Sequence, residues 1–161
     1  MARLKNAIRG HFIAPFVLGE EAPTDDKWME LAKWISNVSD DTDEQTDDTG
    51  FYDGDGTPET TVTGVSGAYG FEGFYDPEDP AQAYIENLKY KTGDDRKVWH
   101  KVVSSDKKKT FIGLATVSAI VAGSGDATEF EDFSCTISYN QIPKETVTPT
   151  PPEAAKLNLN K

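Results

Sequence analysis

Two neighbouring apolar stretches, residues 110–122 and 130–139, dominate the pattern of hydrophobic and polar positions along the chain. The second stretch alternates strictly between apolar and polar side chains from Phe133 to Tyr139, as a half-buried strand does. The first stretch is apolar on both faces, which indicates cover on both sides. Between them, Gly123–Asp126 suits a tight turn, because glycine accepts the positive φ that such turns require. The sequence therefore predicts a long β-hairpin over residues 110–139.

This hairpin is long for a small domain. An arm of about twelve residues spans about 40 Å at about 3.3 Å per residue, whereas strands of about five or six residues are usual. Small side chains keep the first arm slim, at Gly113, Ala115, Ala119 and Ala122. A long and slim hairpin predicts a sheet that is built across several chains.

The remaining patterns predict a mainly β chain with one helix, an α+β fold. Residues 79–90 are the clearest helix, with Asp79 as N-cap, Pro80 as first helical residue and Gly93 as the left-handed end. Further strands are predicted at residues 11–18, 59–66, 68–75 and 95–104. The sequence therefore predicts one β domain.

Three segments are less regular. Residues 24–38 place Trp28 and Leu31 at helical spacing, although their aromatic and β-branched composition also suits a strand; spacing alone favours a helix. Residues 1–10 are predicted to be a basic arm. Residues 144–161 are rich in proline and threonine and are predicted to be a flexible tail. The β domain therefore covers residues 11–143.

An acidic stretch at residues 39–58 allows three interpretations. It is predicted to be a long loop, and the simplest interpretation is that the loop is only solvated. A calcium loop is disfavoured, since counting from Asp53 places Pro58 where an EF-hand requires glycine. The third interpretation is a long mobile hairpin loop that docks on a partner. Phe51 and Tyr52 favour docking, because a solvated loop gains nothing from adjacent aromatic side chains.

Composition and charge exclude several classes of protein. The 161 residues include 28 acidic and 16 basic side chains, for a formal net charge of −12. Such a chain repels the nucleic-acid backbone, so direct DNA or RNA binding is disfavoured. One cysteine excludes an internal disulfide and a cysteine-based zinc site. No apolar run approaches the roughly 20 residues of a membrane helix, so no membrane anchor is predicted.

Catalytic chemistry has no signal in this sequence. His11 and His100 lie in predicted strands without a partner motif, so both are predicted to be structural or surface residues. Cys135 lies on the apolar face of a strand and is predicted to be a small core hydrophobe. Nucleophile elbows, phosphate-binding glycine loops and metalloprotease motifs are missing. We therefore predict no catalytic residue, no metal and no cofactor, and exclude an enzyme.

Four stretches together resemble the major tail tube proteins of long, non-contractile-tailed phages. Trp28–Val38 is similar to the strand that enters the family's long loop, and Phe51–Gly56 to the segment that ends this loop. Phe74–Leu88 resembles the family's helix entry, although Pro77 and extra acidic residues vary its pattern. Gly113–Pro143 resembles the closing hairpin and is the most specific match.

This resemblance implies a fold and a function. The fold is a small β-sandwich or half-barrel with one helix, related to type VI secretion tube proteins, in which Trp28–Val38 is a strand. Six copies form a ring whose long hairpins close an inner β-barrel, and rings stack into the virion tail tube. The resemblance implies a tape-measure protein, tail-tip proteins and a tail-terminator protein as partners. Assembly in the host cytoplasm precedes passage of DNA, which is cargo and is not bound.

Charged residues combined with the resemblance predict contacts between rings. The acidic group is Asp40, Asp41, Asp43, Glu44, Asp47, Asp48, Asp53 and Asp55, together with Phe51 and Tyr52. The basic group is Arg3, Lys5, Arg9, Lys107, Lys108 and Lys109. Glu72 and Asp132 are predicted to face the lumen, because each lies on the polar face of a predicted strand and a negative wall repels DNA.

Two other functions fit the sequence. A soluble, monomeric β-sandwich that binds carbohydrate or a cell surface explains the tryptophans as a binding platform. Such a module predicts a signal peptide, which the sequence does not show. A tail-terminator or secretion-tube ring protein fits as well, since sequence separates these poorly from a tube subunit.

Overall fold

The computed structural model describes residues 3–23 and 25–147, which form ten strands and one α-helix. The strands are β1 (Gly10–Pro15), β2 (Met29–Glu30), β3 (Ile35–Asp40), β4 (Asp43–Thr49), β5 (Glu59–Ser66), β6 (Ala68–Phe74), β7 (Lys97–Val103), β8 (Lys109–Ala122), β9 (Asp132–Tyr139) and β10 (Lys144–Val147). The helix α1 is Pro80–Asn87. Short 3-10 turns occupy Asn6–Ile8, Asp25–Lys27 and Gly93–Arg96.

Seven of the strands form one curled antiparallel sheet in the order β2-β1-β7-β8-β9-β6-β3. β10 pairs with β8, and β4 and β5 form a separate sheet. The curl brings β1 against β6, so that the rings of His11 and Phe71 lie 5.1 Å apart across the concave side. The predicted fold class, mainly β with one helix, is confirmed. Of the two predicted architectures, the half-barrel is the one observed.

The core fills the concave side of the half-barrel. Phe133, Cys135 and Ile137 of β9 all point inward, as their alternation predicted. Ile85 and Leu88, at the end of α1, are buried against the same cluster. The one helix thus covers the open side of the sheet, as expected for a helix with a single apolar face.

A β-bulge in β8 explains why its sequence is apolar on both faces. The register shifts between Ser118 and Val121, and Ala119 adopts a φ of +52°. The extra residue reverses the alternation, so that Val117 and Ile120 both point into the core. Without the bulge, the regular alternation of side chains along a strand would place Val117 and Ile120 on opposite faces.

The N-terminus of α1 follows its sequence signals in part. The Asp79 carboxylate accepts a hydrogen bond from the Gln82 backbone N–H at 3.2 Å, as an N-cap does. The Gln82 side chain does not return to the cap. Its Oε1 accepts from the Asp76 N–H at 2.7 Å, and its Nε2 donates to the carbonyls of Lys33 and Phe74. Gln82 therefore joins the helix to the preceding loops.

Several boundaries differ from the sequence predictions; the strand predicted at residues 11–18, for example, ends at Pro15. Helix α1 ends at Asn87 rather than at residue 90, because the Leu88 N–H turns back to the Ile85 carbonyl; Gly93 opens the next 3-10 turn. The segment Trp28–Val38 is neither one helix nor one strand: a tight turn separates β2 from β3.

The tail also begins later than predicted, because residues 144–147 form β10. Thr146 and Val147 favour extended backbone, and the strand pairs with the edge of β8 that β9 does not reach. An ion pair of 3.5 Å between Lys109 and Glu145 joins the two strands. The rest of the predicted tail, residues 148–161, lies outside the described residues.

Replacement of Arg96 by alanine is expected to lower the free energy of unfolding by about 2 kcal/mol. The half-buried guanidinium donates to the carbonyls of Lys89, Lys91 and Val117, and so ties the end of α1 to the bulged strand. Chemical denaturation of Arg96→Ala measures the loss. Lys91→Ala, which removes only an exposed side chain, is expected to match the unmodified protein. Equal stability of both variants would contradict this role.

Candidate interaction surfaces

The acidic hairpin, residues 43–66, is almost entirely exposed to solvent. β4 and β5 pair with each other and belong to a sheet separate from the half-barrel. Nearly all their side chains are exposed, including Val62 and Val65. The predicted loop over 39–58 thus contains the end of β3, all of β4 and a connecting tip, Gly50–Pro58. A two-stranded hairpin is only marginally stable alone in water, which indicates a contact surface.

The tip of the acidic hairpin presents two aromatic rings on a closed turn. Phe51 is 60 % exposed and Tyr52 is fully exposed. The backbone approaches itself so closely that a side chain on Gly50 would lie 2.5 Å from the Gly56 carbonyl oxygen. The Asp55 carboxylate accepts from the Thr57 N–H at 2.9 Å, and this hydrogen bond lowers the pKa of Asp55. The tip therefore holds its aromatic pair in a defined turn.

No member of the acidic group forms an ion pair within residues 3–23 and 25–147. The ion pairs there include Lys33–Asp76, Lys97–Asp94 and Lys109–Glu145. The acidic group instead accepts local hydrogen bonds, for example from Thr42 to Asp40 at 2.6 Å. Its charge is therefore available to a partner.

The basic group comes together from two distant parts of the sequence. The Lys107 Nζ donates to the Ile8 carbonyl at 2.7 Å, which places the 104–108 turn against the arm. Lys107 has a φ of +63°, and the Asp106 carboxylate accepts from the Lys108 N–H inside the turn. Arg9 precedes β1 directly. Lys109 differs from the other members of the basic group, because its side chain forms an ion pair with Glu145.

The acidic and basic groups lie at the same end of the half-barrel, here called the charged end. In an antiparallel sheet, the start of one strand lies beside the end of its neighbour. The arm enters β1 at this end, the turn between β7 and β8 lies here, and the acidic hairpin leaves β3 and enters β6 here. The opposite end carries the connections at residues 16–28, 75–96 and 123–131.

A cleft of about 490 Å³ opens at the charged end, between the arm, β1 and β3. Arg9 and Asp40 line its mouth, and His11 and Tyr69 line its interior. The cleft marks the gap that the curl leaves between the two edges of the half-barrel.

Two buried histidines lie beneath this cleft. The rings of His11 and His100 stack at 5.6 Å, and His100 Nδ1 forms a hydrogen bond of 2.7 Å with the Tyr139 hydroxyl. His11 Nδ1 and His100 Nε2 are buried without a hydrogen-bond partner. Burial lowers the pKa of His11 to about 4, with a further contribution from the Arg9 cation, and lowers that of His100 to about 3. Both histidines are thus neutral core residues near pH 7.

The two predicted lumen residues lie side by side on the convex face of the sheet. Glu72 on β6 pairs with Ser134 on β9, and Asp132 on β9 pairs with Phe74 on β6. Both carboxylates are exposed. The surrounding convex face of β8 and β9 consists mainly of hydroxyls, at Thr116, Ser118, Ser134, Thr136 and Ser138.

The part of the chain that the structure describes contains neither a candidate metal cluster nor a membrane-spanning helix. Across 3–23 and 25–147, no cluster of three or more histidine, cysteine, aspartate or glutamate side chains suits a metal ion. In the same ranges no helix has the length and apolarity to cross a membrane. Cys135 is buried, which raises the pKa of its thiol to about 12, so it packs as a core side chain.

Comparison with known proteins gives structural matches only. No family model matches the sequence, and neither does any curated protein. A chain from the tail of an empty gene transfer agent particle, refined with C6 symmetry, superposes with a TM-score of 0.66 and 11 % identity over 91 % of this chain and 100 % of that one.

Two further solved structures agree. A chain from the virion of a native gene transfer agent superposes with a TM-score of 0.60 and 12 % identity, over 86 % of this chain and 95 % of that one. A chain of the sheath–tube complex of an extracellular contractile injection system superposes with a TM-score of 0.53 and 11 % identity, over 91 % of this chain and 93 % of that one. The chain has a phage tail-tube fold.

The tail-tube fold confirms the resemblance that the four sequence stretches carry. Sequence reasoning missed one surface at the opposite end, the aromatic ledge formed by Trp34, Phe74 and Phe130. These side chains are 58 %, 44 % and 78 % exposed. Nothing in the sequence links these three separate positions, and Phe130 was predicted to lie in a strand although β9 begins at Asp132.

The three tryptophans do not form a common platform. Trp28 is half-buried below the Lys101 ammonium, 4.7 Å from its ring centroid, and Trp99 packs 6.3 Å from Phe16. Trp34 is the one tryptophan of the three that is largely exposed. The predicted binding platform of a carbohydrate module therefore has no counterpart in this tail-tube fold.

Proposed function

We propose that this chain is a non-enzymatic structural subunit of a phage-like tail tube. Six copies form a ring, rings stack, and DNA passes through the central channel as unbound cargo. The tail-tube fold supports this function, because a similar chain lies in a gene transfer agent tail that has C6 symmetry. The same function implies a tape-measure protein inside the tube and tail-tip and tail-terminator proteins at its ends.

The half-barrel with two open edges is the observation that carries this proposal. At one edge β3 pairs only with β6; at the other, β2 covers only two residues of β1. Unpaired edge strands are templates for association, and a closed ring of half-barrels satisfies them without leaving an end. A monomeric module would leave both edges exposed.

The convex face of β6, β8 and β9 suits the wall of the channel. Its hydroxyls and the carboxylates of Glu72 and Asp132 offer no cation to the phosphate backbone, so transiting DNA gains no affinity. Lys97 and Lys101 lie on the convex face too, but on β7, which is two strands away from β9 in the sheet. We therefore assign Glu72 and Asp132 to the lumen.

The charged end contributes contacts between subunits. The sequence predicts that these two groups meet between rings. Because the acidic and basic groups lie at one end of the subunit, we propose instead that the base of the acidic hairpin meets the basic group of the adjacent subunit in the same ring. The tip is then free to extend toward the next ring. Such ionic contacts steer register and weaken as salt increases.

Electron microscopy of the full chain across a concentration series, with and without a tail-tip complex, tests the proposed function. Rings and hollow tubes of even width are expected. Rings that never stack would indicate a tail terminator instead. Dispersed monomers under both conditions would overturn the proposal.

Reversal of charge at Lys107 and Lys108 to glutamate is expected to raise the protein concentration required for tube formation at least tenfold. The double variant replaces attraction to the neighbouring acidic group by repulsion. Light scattering at low and high salt measures the threshold. The control variant, Lys89→Glu with Lys91→Glu, changes net charge equally near the end of α1. Equal thresholds for the two variants would refute the contact.

A further inference from the structure

The three residues of the aromatic ledge lie on neighbouring backbone segments. The Phe74 N–H donates to the Trp34 carbonyl at 3.0 Å, and the rings of Phe74 and Phe130 meet edge to face at 5.9 Å. All three side chains are exposed to solvent. Exposed aromatic residues gathered in one place on an otherwise acidic, polar chain mark an interaction surface.

Backbone geometry holds the ledge outward. Trp34 adopts a φ of +62°, a conformation that bulky residues rarely take. Its turn presses so closely on β6 that any side chain at Gly73 would lie 2.1 Å from the Trp34 carbonyl oxygen. The indole Nε1 donates to the Asp76 carboxylate at 3.3 Å. Strain that presents an exposed tryptophan indicates a functional constraint.

We propose that the aromatic ledge binds the tip of the acidic hairpin, Phe51 and Tyr52, from a second copy in the next ring. This inference rests on the proposed function. In a stack that repeats along one direction, each ring-to-ring contact joins two different surfaces at opposite ends of the subunit. The tip extends from the charged end and the ledge lies at the opposite end, so a hairpin about 23 Å long reaches from one ring onto the next.

The chemistry of both surfaces is matched. Each is a small group of exposed aromatic rings, and edge-to-face or offset contacts between such rings stabilise an interface beyond the area they bury. Lys33, next to Trp34, is exposed and pairs with Asp76 at 3.1 Å. Glu129 and Glu131 flank Phe130, so the charges beside the ledge repel the tip carboxylates. The contact is therefore aromatic rather than ionic, and it persists at salt concentrations that weaken the charged end.

Disulfide crosslinking tests the contact directly. Cysteines are introduced beside the aromatic residues, as Asp53→Cys with Glu131→Cys, so that every aromatic side chain of the contact is kept; the native Cys135 gives no background because it is buried. Oxidation of assembled tubes in high salt is expected to give a ladder of covalent multimers on a non-reducing gel. The comparison pair, Asp53→Cys with Lys108→Cys, joins the tip to the charged end. A ladder from this pair, with none from Asp53 and Glu131, would overturn the inference.

Microscopy of the same samples and of the unmodified protein distinguishes the ledge contact from the tube function. Tubes without an Asp53–Glu131 crosslink would refute the ledge contact and leave the tube function standing, whereas failure of the unmodified protein to form tubes would refute both. As a second measurement, Trp34→Ala is expected to raise the threshold for assembly at least tenfold in high salt. Tyr90→Ala removes an even more exposed ring near the end of α1 and is expected to leave the threshold unchanged. Equal thresholds for these two variants would also refute the contact.

Discussion

Lowering the pH from 7 to 4 is expected to reduce the free energy of unfolding by about 3 kcal/mol for each of the two buried histidines. The folded-state pKa is about 4 for His11 and about 3 for His100, below the ordinary value of 6.5. At pH values between 6.5 and the folded-state pKa, each histidine is protonated in the unfolded chain but stays neutral in the folded chain. The stabilisation is therefore complete above pH 6.5 and is lost as the pH falls toward 4 for His11 and toward 3 for His100.

The physical cause is a buried environment that does not stabilise the positive charge of a protonated histidine. His11 packs against the rings of Tyr69, Phe71 and His100, and the Arg9 cation lies near its mouth. His100 is fully buried, and a charged His11 would repel a second charge there. Asp40 is the acidic residue that also lines the cleft, and its side chain is exposed. Protonation therefore opposes the folded core.

Urea denaturation at pH 7, 5.5 and 4 measures this loss. His11→Phe keeps an aromatic ring in the stack and removes one titrating group, so it is expected to have about half the pH dependence. His100→Phe is expected to do the same with lower stability at every pH, because it leaves the Tyr139 hydroxyl unpaired. If both variants retain the full pH dependence, carboxylates rather than the histidines cause the loss.

The histidine pair shows which parts of the structure sequence reasoning can reach. Alternation along β9 and the Asp79–Pro80 helix start are local signals, and both led to correct elements. His11 and Phe71 are 60 positions apart and touch only because the whole sheet curls. Pairing of this kind depends on the total twist of seven strands, which no single stretch of sequence encodes.

The candidate surfaces divide in the same way. The acidic and basic groups were evident as runs of charge, but their location at one end follows from strand order. The aromatic ledge depends on the left-handed backbone of Trp34 and on the nine-residue connection 123–131 before β9, where the sequence predicted a tight turn over Gly123–Asp126. A β-branched, aromatic-rich segment such as Trp28–Val38 gives no sign of a left-handed residue in its middle, because tertiary packing against Gly73 imposes that conformation.

Gly73→Ala is expected to lower the free energy of unfolding by about 2–4 kcal/mol and to abolish tube formation. The new Cβ would lie 2.1 Å from the Trp34 carbonyl oxygen and 2.7 Å from the Ile35 Cα. Both neighbours are backbone atoms, so a side-chain rotation cannot relieve the clash. The turn at Trp34 must move away from β6, which breaks the hydrogen bond from the Phe74 N–H to the Trp34 carbonyl.

Gly54→Ala is the matched control, because its added Cβ would meet nothing closer than the Phe51 carbonyl oxygen at 3.8 Å. Thermal and urea denaturation of both variants measure the difference in stability, and light scattering measures assembly. A Gly73→Ala protein as stable as Gly54→Ala would show that the turn tolerates displacement. If that protein also formed tubes, the position of Trp34 would be irrelevant to stacking, since the substitution moves the ledge without changing any of its aromatic side chains.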